Sequence, residues 1–195
     1  MTNIYRAQIA RPNRIAEVKT ECEAIAAEDR AGQAWSKQKN YRGYTSYASL
    51  NDLTWRSPIF AELAKDLDKH VGLYTRALDL DLGRAKLTLD SLWINILDPG
   101  GHHAAHIHPH SVVSGTFYVE IPKGASAIRF EDPRLPLMMA APPRRATARR
   151  TNQPFITFEP KAGTLLLWES WLRHEVMIND AKRPRISVSF NYRWG

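Results

Sequence analysis

Five of the chain's seven histidines fall between residues 102 and 110, in the run Gly101-His102-His103-Ala104-Ala105-His106-Ile107-His108-Pro109-His110, and His174 follows much later. Imidazole is a ligand suited to iron, zinc, copper and nickel. On a strand, residues i and i+2 point to one face, so His106 and His108 are placed to hold one ion together, with His174 as the distant third ligand. A structural zinc site needs four protein ligands, and the chain has a single cysteine, Cys22. Three histidines match an open site, with positions left for water, cosubstrate or oxygen. The facial triad of non-haem iron oxygenases has two histidines and one carboxylate; here His108 stands where the carboxylate is expected. Glu175, beside His174, faces the other way if that segment is a strand. His102, His103 and His110 read as bystanders or supports. Arg185, trailed by Ser187, adds a guanidinium that grips a carboxylate with two donors and never loses its charge. A solvated or adventitiously metal-binding histidine loop is the competing reading.

These residues need elements to position them. Ile15, Val18, Cys22 and Ile25 predict a helix over 14–30. Ser57-Pro58 is a helix start, an N-cap followed by proline at the first position. Phe60, Leu63, Leu67, Val71, Tyr74 and Leu78 continue one apolar stripe to about residue 79. Residues 35–56 read as loop with room for a short strand. From residue 86 the period changes to two, and strands are predicted over 86–97, 111–121, 126–131, 155–159, 163–168, 174–179 and 185–194, punctuated by Pro, Gly and Asp. Helices followed by short strands give an α+β chain with a jelly-roll or cupin-like core. It is expected to be a single domain over 1–195, with a mainly helical part to residue 85 packed on the core of 86–195. In the last strand Arg185, Ser187, Ser189, Asn191 and Arg193 share one face, and Ile186, Val188, Phe190, Tyr192 and Trp194 share the other. Only a jelly roll with helices covering the apolar face puts Arg185 near the histidines.

The 195 residues suffice for a real core. One cysteine fits a reducing compartment, and the first 14 residues carry no apolar signal region, so the cytoplasm is the default. No apolar stretch approaches membrane-spanning length. The formal net charge is +7, which raises nucleic acid as a partner. Arg144, Arg145, Arg149 and Arg150, however, crowd one proline-bounded segment, and neither aromatic interleaving nor a helix-turn-helix or zinc-finger spacing accompanies them. That segment, 142–153, reads as a solvated loop, with a lid over the barrel mouth as the sharper alternative.

The ordered set Trp93-Ile94-Asn95, His106-Ile107-His108-Pro109, Ser114-Gly115-Thr116-Phe117-Tyr118-Val119, Phe130-Glu131-Asp132-Pro133-Arg134, Gly163-Thr164-Leu165-Leu166-Leu167-Trp168, Ser170 through Val176 and Arg185 through Asn191 resembles the iron(II)- and 2-oxoglutarate-dependent dioxygenases, most closely their small bacterial 2OG-Fe(II) oxygenase group. The resemblance implies a double-stranded β-helix buttressed by the N-terminal helices. It implies His106, His108 and His174 as ligands of Fe(II), with His108 where most members carry Asp or Glu. It implies Arg185 and Ser187 as binders of the distal carboxylate of 2-oxoglutarate, the cosubstrate, with Tyr118 and Asn95 as further candidates for its wall. The function implied is oxidation, by hydroxylation, of a small molecule or protein side chain with O2. Two alternatives stand beside it: a three-histidine cupin-like dioxygenase that does not use 2-oxoglutarate, and a non-enzymatic basic nucleic-acid-binding domain. A homodimer is compatible with the sequence.

Overall fold

The alternation in the last strand decides the layering. In the computed structural model, which describes residues 2–195, β10 (Arg185–Trp194) lies between β5 (Val113–Glu120) and β3 (Leu87–Leu97). Adding β1 (Ile4–Gln8), β2 (Gly43–Thr45) and β8 (Thr164–Glu169) gives a six-stranded antiparallel sheet in the order β1-β8-β5-β10-β3-β2. A four-stranded sheet faces it, in the order β4 (His103–His106), β9 (His174–Val176), β6 (Ile128–Glu131), β7 (Phe155–Phe158). Two facing antiparallel sheets form the jelly roll.

On one face of the large sheet, Ile186, Val188, Phe190 and Tyr192 are buried with Val18 and Cys22 of α1 (Pro12–Glu28) and with Phe60, Leu63, Leu67, Val71 and Tyr74 of α4 (Pro58–Ala77). Each such side chain contributes about 1.5–3 kcal/mol relative to exposure. Helix α4 starts where Ser57 accepts a hydrogen bond from the Ile59 N–H at 3.3 Å, with Pro58 at its first position. Three tyrosines add polar ties where the helices meet the strands: Tyr192 donates to Asp68 and Tyr74 to the Asn3 carbonyl, each at 2.7 Å, and Tyr5 lies 2.7 Å from His70 Nδ1.

The other face carries Arg185, Ser187, Ser189 and Asn191, all lining a cavity between the sheets. The alternation stops short of the strand's end. A register shift falls between Asn191 and Tyr192, and Arg193 and Trp194 are exposed.

Four elements differ from the sequence reading. Residues 30–38 form α2 (Arg30–Gln38), capped by Asp29, which accepts the Gly32 N–H at 2.9 Å. A short helix, α3 (Leu53–Arg56), follows in the stretch read as loop. Strand β1 had no sequence signal because Ile-Tyr-Arg-Ala-Gln lacks alternation; pairing with β8 imposes it. Strand β4 ends at His106, so His108 lies beyond it.

Gly115 is the one residue of β5 that must lack a side chain. A Cβ there would approach the Phe190 ring at 2.3 Å and Leu167 at 2.7 Å. Gly115→Ala is expected to destabilise the protein by about 1–3 kcal/mol through overpacking. A urea midpoint equal to wild type would show that Phe190 moves aside freely.

Candidate active site

His106, His108 and His174 converge from separate pieces of chain. His106 ends β4 and pairs with His174 of β9 across the small sheet. His108 sits in the turn after β4, held by its N–H donating to the Ser170 carbonyl at 3.0 Å. Thus a turn, and not the strand alternation expected, brings the second histidine alongside the first. One nitrogen from each ring lies within 4.8 Å of the others. His106 Nδ1 lies 2.7 Å from the Ala104 carbonyl and His174 Nδ1 lies 2.9 Å from the Leu172 carbonyl. With protons on those Nδ1 atoms, both Nε2 lone pairs are free, as a metal ligand requires. His108 Nε2 and His174 Nε2 are 3.3 Å apart. Two lone pairs at that distance repel; cis ligands about 2.1 Å from one octahedral ion would be separated by about 3.0 Å. The donor set therefore fits a cation of the imidazole-loving class.

Desolvation pushes the His174 imidazole down to about 3, with the charge of His106 adding to it, and His108 down to about 4 for the same two reasons. His103 falls to about 3, by desolvation first and then by the neighbouring Arg185. These rings are neutral at pH 7, the form that binds metal. In the unfolded chain they take up protons near pH 6.5. Their contribution to stability is thus complete above pH 6.5 and is lost as pH falls towards 3. The metal-free protein should show a lower urea midpoint at pH 5 than at pH 7; equal midpoints would contradict the depressed values.

The cavity beside the histidines has a volume of about 370 Å³. Arg185 and Ser187 line it, as does Asn95. The Arg185 guanidinium stacks 5.1 Å from the Tyr118 ring centroid. Among the described residues, the buried side-chain polar atoms without a hydrogen-bond partner are Tyr118 Oη, Trp168 Nε1 and Arg185 Nε, all at this cavity or against it. Buried polar atoms are normally paired, so the trio marks a place built for a polar ligand. Arg185 is 3% exposed and makes one hydrogen bond, from Nη1 to Ser126 Oγ at 3.3 Å; among the described residues no ion pair engages it. Asn95 is more committed: it accepts from Thr45 Oγ1 at 2.9 Å and donates to Ser189 Oγ at 3.1 Å.

Glu175 faces away, ion-paired with Arg129 on the outer side of the small sheet. Among the described residues, no Asp or Glu lines the cavity. His102 and His110 do not line it, whereas His103 does, opposite Tyr41. Sequence reasoning passed over Tyr41, Ser126 and the Trp168 indole; their relevance depends on contacts across the fold. The lid reading of 142–153 fails. That segment connects β6 to β7 at the edge of the small sheet farthest from β4. Its four arginines are exposed, with Arg150 packed 4.3 Å over the Phe158 ring, and none lines the cavity.

A family profile described as "Putative 2OG-Fe(II) oxygenase" matches residues 91–191, just over half of the chain. The chain belongs to the 2OG-Fe(II) oxygenase family. It is an oxidoreductase that uses iron(II), 2-oxoglutarate and O2, which sets aside the reading without 2-oxoglutarate and the non-enzymatic one. Solved structures share the oxygenase's fold at low identity. A Pseudomonas putida prolyl-4-hydroxylase superposes with a TM-score of 0.65 and 17% identity, covering 99% of this chain and 94% of its own. The α-ketoglutarate-dependent epimerase SnoN of nogalamycin biosynthesis gives 0.68 and 15%, over 98% and 76%. HygX of Streptomyces hygroscopicus, with nickel, 2-oxoglutarate and hygromycin B bound, gives 0.66 and 15%, over 98% and 83%. No curated protein matches the chain. Among the described residues, no helix of the oxygenase is long and apolar enough to cross a membrane.

Proposed function

We propose that the protein hydroxylates an organic substrate at a centre in which His106, His108 and His174 hold the iron and Arg185, Ser187 and Tyr118 take the distal carboxylate of 2-oxoglutarate. The observation that carries this reading is the proximity of three convergent imidazoles to a buried guanidinium with no counter-ion. When bound, iron(II) and 2-oxoglutarate supply the oxidation: one oxygen atom of O2 ends in succinate as CO2 is lost, and the other enters a substrate C–H bond.

The chain's own groups bind, orient and exclude water. The carbonyls of Ala104 and Leu172 fix the His106 and His174 rings. Arg185 presents a planar fork that a carboxylate fills with two charge-assisted hydrogen bonds. Tyr118 and Ser187 add hydroxyl donors beside it, and Asn95, held by Thr45 and Ser189, shapes the wall. Trp93 stands 6.0 Å from the His108 ring, with Tyr47 packed edge-on against it at 5.2 Å. With Trp35, Ile107 and Pro109 these give the substrate side of the cavity an apolar wall, which strengthens polar contacts by keeping water out. The substrate is a small molecule or a protein side chain, reached in the cytoplasm, where the buried thiol of Cys22 stays reduced.

The test is release of succinate from 2-oxoglutarate by the iron-loaded protein in air, with pyruvate as the control acid. Slow uncoupled turnover without substrate is expected. An absence of both 2-oxoglutarate binding and turnover would sink the assignment of this cavity.

A further inference from the structure

The Arg185 end of the cavity holds a pair that the family resemblance does not assign. The Tyr41 hydroxyl lies 2.8 Å from His103 Nε2, with the rings 5.5 Å apart and tilted by 39°. Both side chains line the cavity together with Arg185. They come from distant parts of the chain. Tyr41 is in the turn between α2 and β2, and His103 opens β4.

The turn is held on several sides. Asn40 has φ 53° and the Tyr41 N–H donates to the Ser36 carbonyl at 2.9 Å. The Arg42 carbonyl accepts the Asp98 N–H at 3.0 Å. Gly43 has φ 121°, and a Cβ there would meet the Ile96 carbonyl oxygen at 2.0 Å, so no side chain is tolerated. Asn40 and Gly43 thereby fix the backbone on either side of Tyr41, so the phenol is presented in one place.

The charges agree with that placement. Burial raises the Tyr41 phenol, opposed by Arg185 and assisted by Asp98, so it keeps its proton at pH 7. His103 is neutral. A neutral imidazole can carry its proton on Nε2 and donate it to the Tyr41 oxygen, leaving the phenol proton free for another acceptor. The guanidinium on the same wall lacks an anion.

We propose that Tyr41, held by His103, is an additional hydrogen-bond donor to the distal carboxylate of 2-oxoglutarate, so that a phenol from the N-terminal part of the chain reads the second charge of the cosubstrate alongside Arg185. This rests on the reading of Arg185 as the carboxylate clamp. Tyr41 contacts the cosubstrate; His103 acts through Tyr41 and is a positioning residue.

The experiment is calorimetric titration of 2-oxoglutarate into manganese-loaded protein without O2. Tyr41→Phe keeps the ring and removes the donor, and should lose about ten- to a hundredfold in affinity. The loss should disappear for 2-oxobutyrate, which keeps the 2-oxo acid end and lacks the second carboxylate, as read by competition at millimolar concentration. His103→Asn should weaken 2-oxoglutarate binding in the wild-type background and add nothing in the Tyr41→Phe background, the signature of action through one partner. Manganese content and thermal midpoint report folding of each variant. Unchanged affinity in Tyr41→Phe, with a loss in Arg185→Lys, overturns the role of Tyr41 and keeps the clamp. Unchanged affinity in both removes the clamp itself. Equal losses for the two acids make Tyr41 a packing residue and also overturn the proposal.

Discussion

His174→Ala is expected to lose bound metal and turnover together. The ring lies between Trp168, 4.7 Å away centroid to centroid, and Phe130, 5.8 Å away, and it is 4% exposed. No other group among the described residues can take its place: the single cluster of metal-competent side chains is His106, His108 and His174. Even partners that only orient a ligand are worth about 10–100-fold in metal affinity, so loss of a ligand should exceed about 100-fold. Manganese titration followed by electron paramagnetic resonance measures this directly. His102→Ala and His110→Ala, outside the cavity, serve as controls with unchanged affinity. Stoichiometric metal retained by His174→Ala would move the centre away from these three rings.

Arg185→Lys is expected to separate cosubstrate binding from metal binding. Lysine keeps the charge but replaces a planar fork with a single point of attachment. Loss of one buried charged hydrogen bond costs about 1.5–3 kcal/mol, equivalent to about ten- to a hundredfold in affinity. The shorter cation would also sit less well over the Tyr118 ring, where the guanidinium now stacks. The dissociation constant of 2-oxoglutarate should rise while manganese affinity stays as in wild type. A parallel loss of both would mean that Arg185 supports the strands that carry the histidines and does not meet the cosubstrate.

Much of the layering was legible from one strand. The alternation from Arg185 to Asn191 has a single buried solution, apolar residues under helices and polar residues in a cavity, and that solution brings Arg185 towards the histidines. The apolar stripe of α4 was legible for the same reason: periodicity is local and survives in a sequence. Strands β1 and β4 were not legible. Ile4–Gln8 and His103–His106 have weak strand composition, and they are extended because β8 and β9 offer them hydrogen bonds. The same holds for the candidate site. His106, His108 and His174 could be singled out by type and spacing, whereas the turn that aims His108 depends on the Ser170 carbonyl, far along the chain. Tyr41 had no local signal at all, since its meaning lies in a contact with His103. The arginines of 142–153 misled in the opposite direction. Their charge is conspicuous in sequence, but the small sheet's strand order carries them to its far edge.

Strand β10 lies in the middle of the large sheet. Strands β3 and β5 meet only through β10, so synthesis must pass Trp194 before either gains its shared neighbour. Until then the nascent chain carries two unpaired edges rich in apolar side chains, with the helices already made and nothing to cover. Pairings between such distant segments, including β1 with β8, form slowly because a long loop must close before any bond rewards it. Assembly of the large sheet therefore waits for β10, and the interval before it is when aggregation threatens this chain most. The clustered histidines share that timing: His106 and His174 take their places on a small sheet whose facing layer is completed by β10.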